Sequence, residues 1–435
     1  MQNPLRLLTG IIIALPTMGY AANSVVLGGV VNVEYTAIKI KQSTASGGGG
    51  LDANNRYQTA IGDPTIFSRY GLLIREELGG DLAAIAKVEY GFVPGAGVVD
   101  VAREQWVGLT SKNWGTVQFG SVSAPFRLFA GGASVDRFIG TSLHLRGSGG
   151  AQYAPFSGFG TSAAVDHALT YISPVWSGLS FAALLAPSNA TQADATLANT
   201  NQRNPNTGGK GNGVDYQVAF KYAIPKYGDV FVGYSQDSAS DNQRAALPIN
   251  GKTADDETVW RLGANLKFGN FGVYGQYDRI ENALNTFTFP ITATSSGNGA
   301  ASCAGSAVGG SLADPGSTTQ QCNAGLNVNG NGDIWSLGTS YTMGKSMFVI
   351  QGGQTNADAV GAAIERTAKN ITVGAIYNLS KRTRVHIGYQ KVNIEGARLV
   401  NQIGLPSGAT PGQVGAALTV QPDRSTFSMG MRHTF

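Results

Sequence analysis

Cysteine is scarce in this chain: two residues in 435, Cys303 and Cys322. That count excludes a disulfide-stapled scaffold and a cysteine-rich metal centre. Histidine is nearly as rare, with four residues. His144, His167, His386 and His433 have no nucleophile motif beside them, and neither GxSxG nor HExxH occurs, so structural histidines are the simpler reading and no enzyme is expected. Charged residues make up only 13% and balance to a formal +4. That is too weak a footprint for nucleic acid, which is not an expected partner. The run Asp255-Asp256-Glu257 suits a solvated loop edge better than a calcium site, and Gly47 to Gly50 is loop material rather than a phosphate loop; no metal or cofactor is expected. No stretch reaches eighteen consecutive apolar residues, which excludes a transmembrane helix.

What the chain does have is glycine, 60 residues of it, and alternation. In Val259 to Phe268, one face carries Trp260, Leu262, Ala264, Leu266 and Phe268 and the other Arg261, Gly263, Asn265 and Lys267. Val214, Tyr216, Val218, Phe220 and Tyr222 alternate with Asp215, Gln217, Ala219 and Lys221. The last residues repeat the pattern: Phe427, Met429, Met431, His433 and Phe435 against Arg424, Thr426, Ser428, Gly430 and Arg432. Strand side chains alternate with period two, so each segment is greasy on one side and polar on the other. A membrane barrel asks for that, with tyrosine and tryptophan bounding the apolar band.

About sixteen such segments are present. They span 24–38, 66–77, 82–92, 102–110, 115–121, 166–173, 178–186, 213–222, 229–236, 258–267, 271–279, 333–342, 346–353, 370–378, 384–393 and 424–435. Connections alternate short and long; the long ones are 39–65, 122–165, 187–212, 280–332 and 394–423 among others. An even count puts both termini on the short-turn side, which is periplasmic in such barrels. The expected fold is therefore all-β, a transmembrane antiparallel barrel forming one domain over 22–435. Residues 1–21 read as a secretory signal peptide: Arg6, an apolar stretch from Leu7 to Leu15, then Gly19-Tyr20-Ala21 with small residues at the cleavage positions. Export places Cys303 and Cys322 in an oxidising compartment, and as both fall in one long connection they are expected to pair. The bridge would order an exposed loop rather than hold the barrel.

The stretches SVVLGGVVNVEY, SRYGLLIREELGGDLAAIAKVEYGF, REQWVGLTSKNWGTVQFGS, ALTYISPVWSGLSF, NITVGAIYNLSKRTRVHIGY and the final MGMRHTF resemble the trimeric general porins of Gram-negative outer membranes, of the β-proteobacterial (Neisseria/Burkholderia) type. They run nearly the length of the mature chain. The resemblance implies sixteen strands, a homotrimer among outer-membrane lipid and lipopolysaccharide, and a third long connection folded into the pore. It also implies Phe435 as the signal read by the barrel-assembly machinery, and passive diffusion of small hydrophilic solutes and ions. Glycine and alanine on the outward faces of the early strands would permit close subunit packing.

Alternation also assigns the lumen. If Tyr70, Leu72 and Ile74 face outward, Arg69 and Arg75 point inward; Ala84, Ala86, Val88 and Tyr90 outward leave Lys87 and Glu89 inside. Arg103 shares the side of Gln105 if Trp106 faces outward. Arginine or lysine facing lipid at mid-depth costs roughly 2–4 kcal/mol, which favours these placements. The third long connection carries Arg127, Asp136, Arg137, His144 and Arg146, with Asp136 its only carboxylate before Asp166. General porins commonly set acidic loop residues against a basic wall, and this loop departs from that pattern, as does Thr170 where relatives often carry a basic residue. Cations outnumber carboxylates among the pore candidates, so a modest anion preference is expected. A substrate-specific channel for phosphate or organic acids is the alternative; a secreted adhesin fits the outward apolar bands poorly.

Overall fold

The computed structural model describes residues 23–41, 56–63, 67–94, 98–145, 164–187, 214–238, 255–283, 330–357, 366–395 and 423–435. The signal-peptide segment, Arg146, Cys303 and Cys322 lie outside the described residues. Seventeen strands are described: β1 (Asn23–Lys41), β2 (Arg56–Gly62), β3 (Arg69–Gly79), β4 (Leu82–Val93), β5 (Val98–Ser111), β6 (Gly115–Ser123), β7 (Ala164–Ile172), β8 (Leu179–Pro187), β9 (Val214–Ile224), β10 (Gly228–Asp237), β11 (Glu257–Phe268), β12 (Phe271–Ala283), β13 (Gly330–Met343), β14 (Ser346–Ala357), β15 (Arg366–Asn378), β16 (Thr383–Glu395) and β17 (Asp423–Thr434). One helical turn, α1 (Pro125–Leu128), and a 3₁₀ turn (Gly132–Ser134) follow β6.

From β3 onward each strand pairs antiparallel with the next, and β17 returns to β1 from Val30↔Thr434 to Lys41↔Asp423. The other edge of β1 is shared: β3 covers Asn23 to Val30 and β2 covers Glu34 to Ile40. β2 and β3 are thus two halves of one stave, and the fold is a closed all-β antiparallel barrel of sixteen strands. β2 corrects the sequence reading, which left Arg56 to Gly62 inside a long loop. The physical reason is that without it the upper edge of β1 would present unpaired amides, which a bilayer cannot satisfy.

The alternation sorts side chains as a barrel in lipid demands. Trp260 is 57% exposed on the outer surface while its neighbour Arg261 is 1% exposed inside. Ile387 and Tyr389 likewise face out around buried His386. Glycines at positive φ close several tight turns, among them Gly79-Gly80 between β3 and β4 and Gly269 between β11 and β12. The terminal Phe435 latches the seam. Its N–H donates to the Gly29 carbonyl and its own carbonyl accepts from the Gly29 N–H, each at 3.1 Å. The ring lies so close that a Cβ on Gly29 would sit 2.5 Å from Phe435 Cζ.

Candidate functional site

The connection after β6 does not stay at the rim. Residues Ala124 to Leu145 turn into the barrel and follow the inner wall from β9 round to β1. The Phe126 N–H donates to Gln217 Oε1 on β9 (2.7 Å). Arg261 on β11 donates to the Ala130 carbonyl (3.1 Å), and the Arg137 guanidinium donates to Asn265 Oδ1 on β11 (2.7 Å). Gln351 on β14 accepts from the Arg137 N–H and donates to Asp136. Gln390 on β16 donates to the Leu143 carbonyl, and Arg432 on β17 to the Ile139 carbonyl (2.6 Å). Glu34 on β1 accepts from Ser142.

Apolar packing backs these bonds. Phe126, Phe129, Ala130 and Val135 bury against Ala182, Ala219, Phe231, Val259 and Tyr274; Phe138 and Leu143 bury against Val349 and Ile376. Beneath α1 lies an ion pair closed to water: Arg261 holds Asp278 with two hydrogen bonds of 2.8 and 2.7 Å, and its guanidinium stacks 4.5 Å from the Phe126 ring centre. Burying such a pair is tolerable only because every charge has a partner.

With the loop on that side, the opposing lumen face is the wall of β3, β4 and β5, where the charges converge. Glu89 receives Arg103 (2.8 Å), Lys87 (3.1 Å) and Arg69 (3.5 Å). Glu104 receives Lys87 (3.1 Å) and, from the loop, Arg127 (3.5 Å). Ser123 and the Trp106 indole N–H also donate to Glu104. Four cations therefore share two carboxylates.

The condition set on Arg103 fails: Val107 and Leu109 are the outward residues, 58% and 40% exposed, so Trp106 turns inward and Gln105 outward. Arg103 still joins the cluster because β5 bulges. Val88 pairs with Gln105 and Tyr90 with Ala102, so Glu89 opposes two residues, Arg103 and Glu104, instead of one. Strict alternation would have put only one of them in the lumen, and this is why Glu104 escaped the sequence reading.

Three other expected residues lie apart from the cluster. Arg75 is on the same face as Arg69 but near the short-turn end, half-exposed and paired with Glu77 at 2.7 Å. Asp136 is not an acid opposing the wall: it is buried, accepting from the N–H groups of Phe138 and Leu145 and from Gln351. Arg137 reaches away from the cluster, to β11 and over the Tyr274 ring at 4.1 Å. Thr170 is wholly buried on β7. Glu34, Phe67, Arg261 and Arg432 were not singled out as site residues. The inward parity of Glu34, between Val33 and Tyr35, was legible; the position of Phe67 was not.

The sequence pattern of the Gram-negative porin family matches residues 8–397. No curated relative matches. Among solved structures, the fold is similar to the anion-selective porin from Comamonas acidovorans, with a TM-score of 0.60 and 18% identity over 95% of this chain and 100% of that one. It is also similar to Salmonella typhi OmpF in complex with daunomycin (0.57; 13%; 95% and 98%) and to Vibrio cholerae OmpT (0.54; 14%; 96% and 99%). At these identities the likeness speaks for the fold, and the family match carries the rest. The family match covers most of the chain, and this chain belongs to that family: a Gram-negative outer-membrane porin, a channel and not an enzyme.

Proposed function

We propose that the channel passes small hydrophilic solutes and ions with a modest preference for anions. The observation that carries this is the cluster of Arg69, Lys87, Arg103 and, from the loop, Arg127 around Glu89 and Glu104, in which cations outnumber carboxylates among the described residues. The loop adds no counter-field of the usual kind, because Asp136 is consumed by its own backbone. A low-dielectric wall focuses such a charge on the passing solute. The anion-selective character of the Comamonas porin supports the same reading. Planar-bilayer recording in a potassium chloride gradient tests it. A reversal potential on the chloride side is expected, and one on the potassium side would overturn it.

The assembly is proposed to be a homotrimer of the β-proteobacterial type, a reading supported by the trimer form of Vibrio OmpT and by the resemblance. Residues 1–21 are proposed to be cleaved, both termini to lie in the periplasm and the long connections outside. Cys303 and Cys322 are then proposed to form an external disulfide, and labelling of intact cells after reduction should tag them. Outer-membrane lipid, lipopolysaccharide and the assembly machinery acting on Phe435 complete the expected partners. A channel specific for phosphate or organic acids is the second reading, favoured by Arg384 and Arg432, which stand directly opposite each other on β16 and β17. Conductance that saturates with one anion would select it.

A further inference from the structure

Phe67 sits where the stave formed by β2 and β3 is interrupted, and two guanidinium groups share its ring. The Arg69 carbon Cζ is 4.5 Å from the ring centre and that of Arg432 is 4.1 Å. The two arginines come from strands on either side of β1 and belong to different networks. Arg69 joins the basic wall through Glu89, while Arg432 grips the inward loop at the Ile139 carbonyl. The next loop residue, Gly140, lies on the ring itself: a Cβ there would fall 2.4 Å from both Phe67 Cδ2 and Arg432 Nη2. Two cations this close repel, and among the described residues neither ion-pairs the other's carboxylate. The negative face of the phenyl ring is their common attractive neighbour.

We propose that Phe67 is a positioning residue for channel selectivity: it holds the buried Arg69 in place within the basic wall and registers that wall against the inward loop through Arg432 and Gly140. A leucine of similar bulk keeps the apolar contact but has no quadrupole. Arg69 then loses the ring's attraction and closes on Glu89, 3.5 Å away in the native protein, so that its charge is more fully neutralised and anions feel less of it. The backbone anchor of Arg69 Nη1, the Phe67 carbonyl at 2.9 Å, survives any substitution of the side chain. That isolates the ring as the cause.

The inference rests on the anion-preference reading above, and one set of channels separates the two. Reversal potentials are measured in a potassium chloride gradient for the native protein, Phe67→Leu, Phe67→Trp, Arg69→Gln and the Phe67→Leu/Arg69→Gln double variant, with heat-modifiable gel mobility as the check of folding. Phe67→Leu is expected to lower the chloride-to-potassium permeability ratio, with Phe67→Trp, which keeps an aromatic face, near native. In the Arg69→Gln background, Phe67→Leu should add nothing. An unchanged ratio in Phe67→Leu beside a lowered one in Arg69→Gln overturns this inference alone, as do additive effects in the double variant. If Arg69→Gln leaves the ratio unchanged, the selectivity reading falls and takes this one with it. Should Phe67→Leu not fold, Phe67→Met removes the quadrupole with a more adaptable chain, and the same outcomes apply.

Discussion

Glu34 and Ser142 stand 108 residues apart in the chain and are joined by two hydrogen bonds to one oxygen. Glu34 Oε1 accepts from the Ser142 N–H at 2.8 Å and from its hydroxyl at 2.9 Å. The other oxygen takes Ser428 Oγ and faces His386 Nε2 at 3.2 Å. The barrel seam and the far limb of the inward loop are thus held by one buried carboxylate.

Glu34→Ala should therefore loosen the loop and weaken the seam together. Removing a buried charged acceptor that satisfies several donors costs about 1–3 kcal/mol or more. The expected outcome is an earlier unfolding midpoint in denaturant and added current noise in single channels. A quiet channel of native stability would show that Ser142 is held by other contacts.

The Arg261–Asp278 pair makes a sharper case. Asp278→Asn leaves a buried guanidinium partly uncompensated, for about 3–5 kcal/mol of lost stability. Because Arg261 also holds the Ala130 carbonyl, conductance should change as well. Replacing both residues with apolar ones of similar volume should recover much of the stability but not the loop anchor, which thermal denaturation and conductance measure separately.

Charge reversal should distinguish wall from rim. Lys87→Glu places a third carboxylate in the Glu89–Glu104 cluster and is expected to move the reversal potential toward potassium. The shift should be largest at low salt, since screening acts over about 8 Å at physiological strength. Arg75→Glu, at the half-exposed pair with Glu77, should change it little. Equal shifts from the two variants would place Arg75 on the ion path.

At the turn between β3 and β4, Asp81 accepts from the Ser111 hydroxyl and from the Asn113 N–H and side-chain amide. The Ser111 hydroxyl, and after it the backbone bonds of the turn, hold this carboxyl below its usual range. A depressed value in the folded state means stability that is present above the ordinary aspartate value and lost as pH falls through the lowered one. Asp81→Asn should lose that contribution at neutral pH and flatten the acid limb of a stability-against-pH curve, the two curves converging in acid. Parallel curves for the two proteins would rule the contribution out.

Much of the architecture was legible because period two is a local signal. Val259 to Phe268 declares its two faces without any tertiary information, and all sixteen segments read in this way coincide with strands to within a few residues. The inward-facing Arg69, Lys87 and Glu89 follow from the same rule. Where the rule failed, the reasons are specific. β2 is short and exists to cover an edge of β1 that no local pattern advertises. The β5 bulge shifts parity by one residue, which turns Trp106 inward and brings Glu104 beside Arg103. Asp136 and Arg137 sit in irregular backbone with no period to read.

By itself the sequence determined the barrel: alternation sets which side of each strand meets lipid, and the cost of facing a charge to hydrocarbon makes that choice one-way. The tertiary structure alone decided what the lumen does. The partners of a charge there lie on other strands or in the inward loop, as with Glu34 and Ser142 or Arg69, Phe67 and Arg432. Their meeting depends on register, one bulge and the course of the loop, which are properties of the closed barrel and of no single segment.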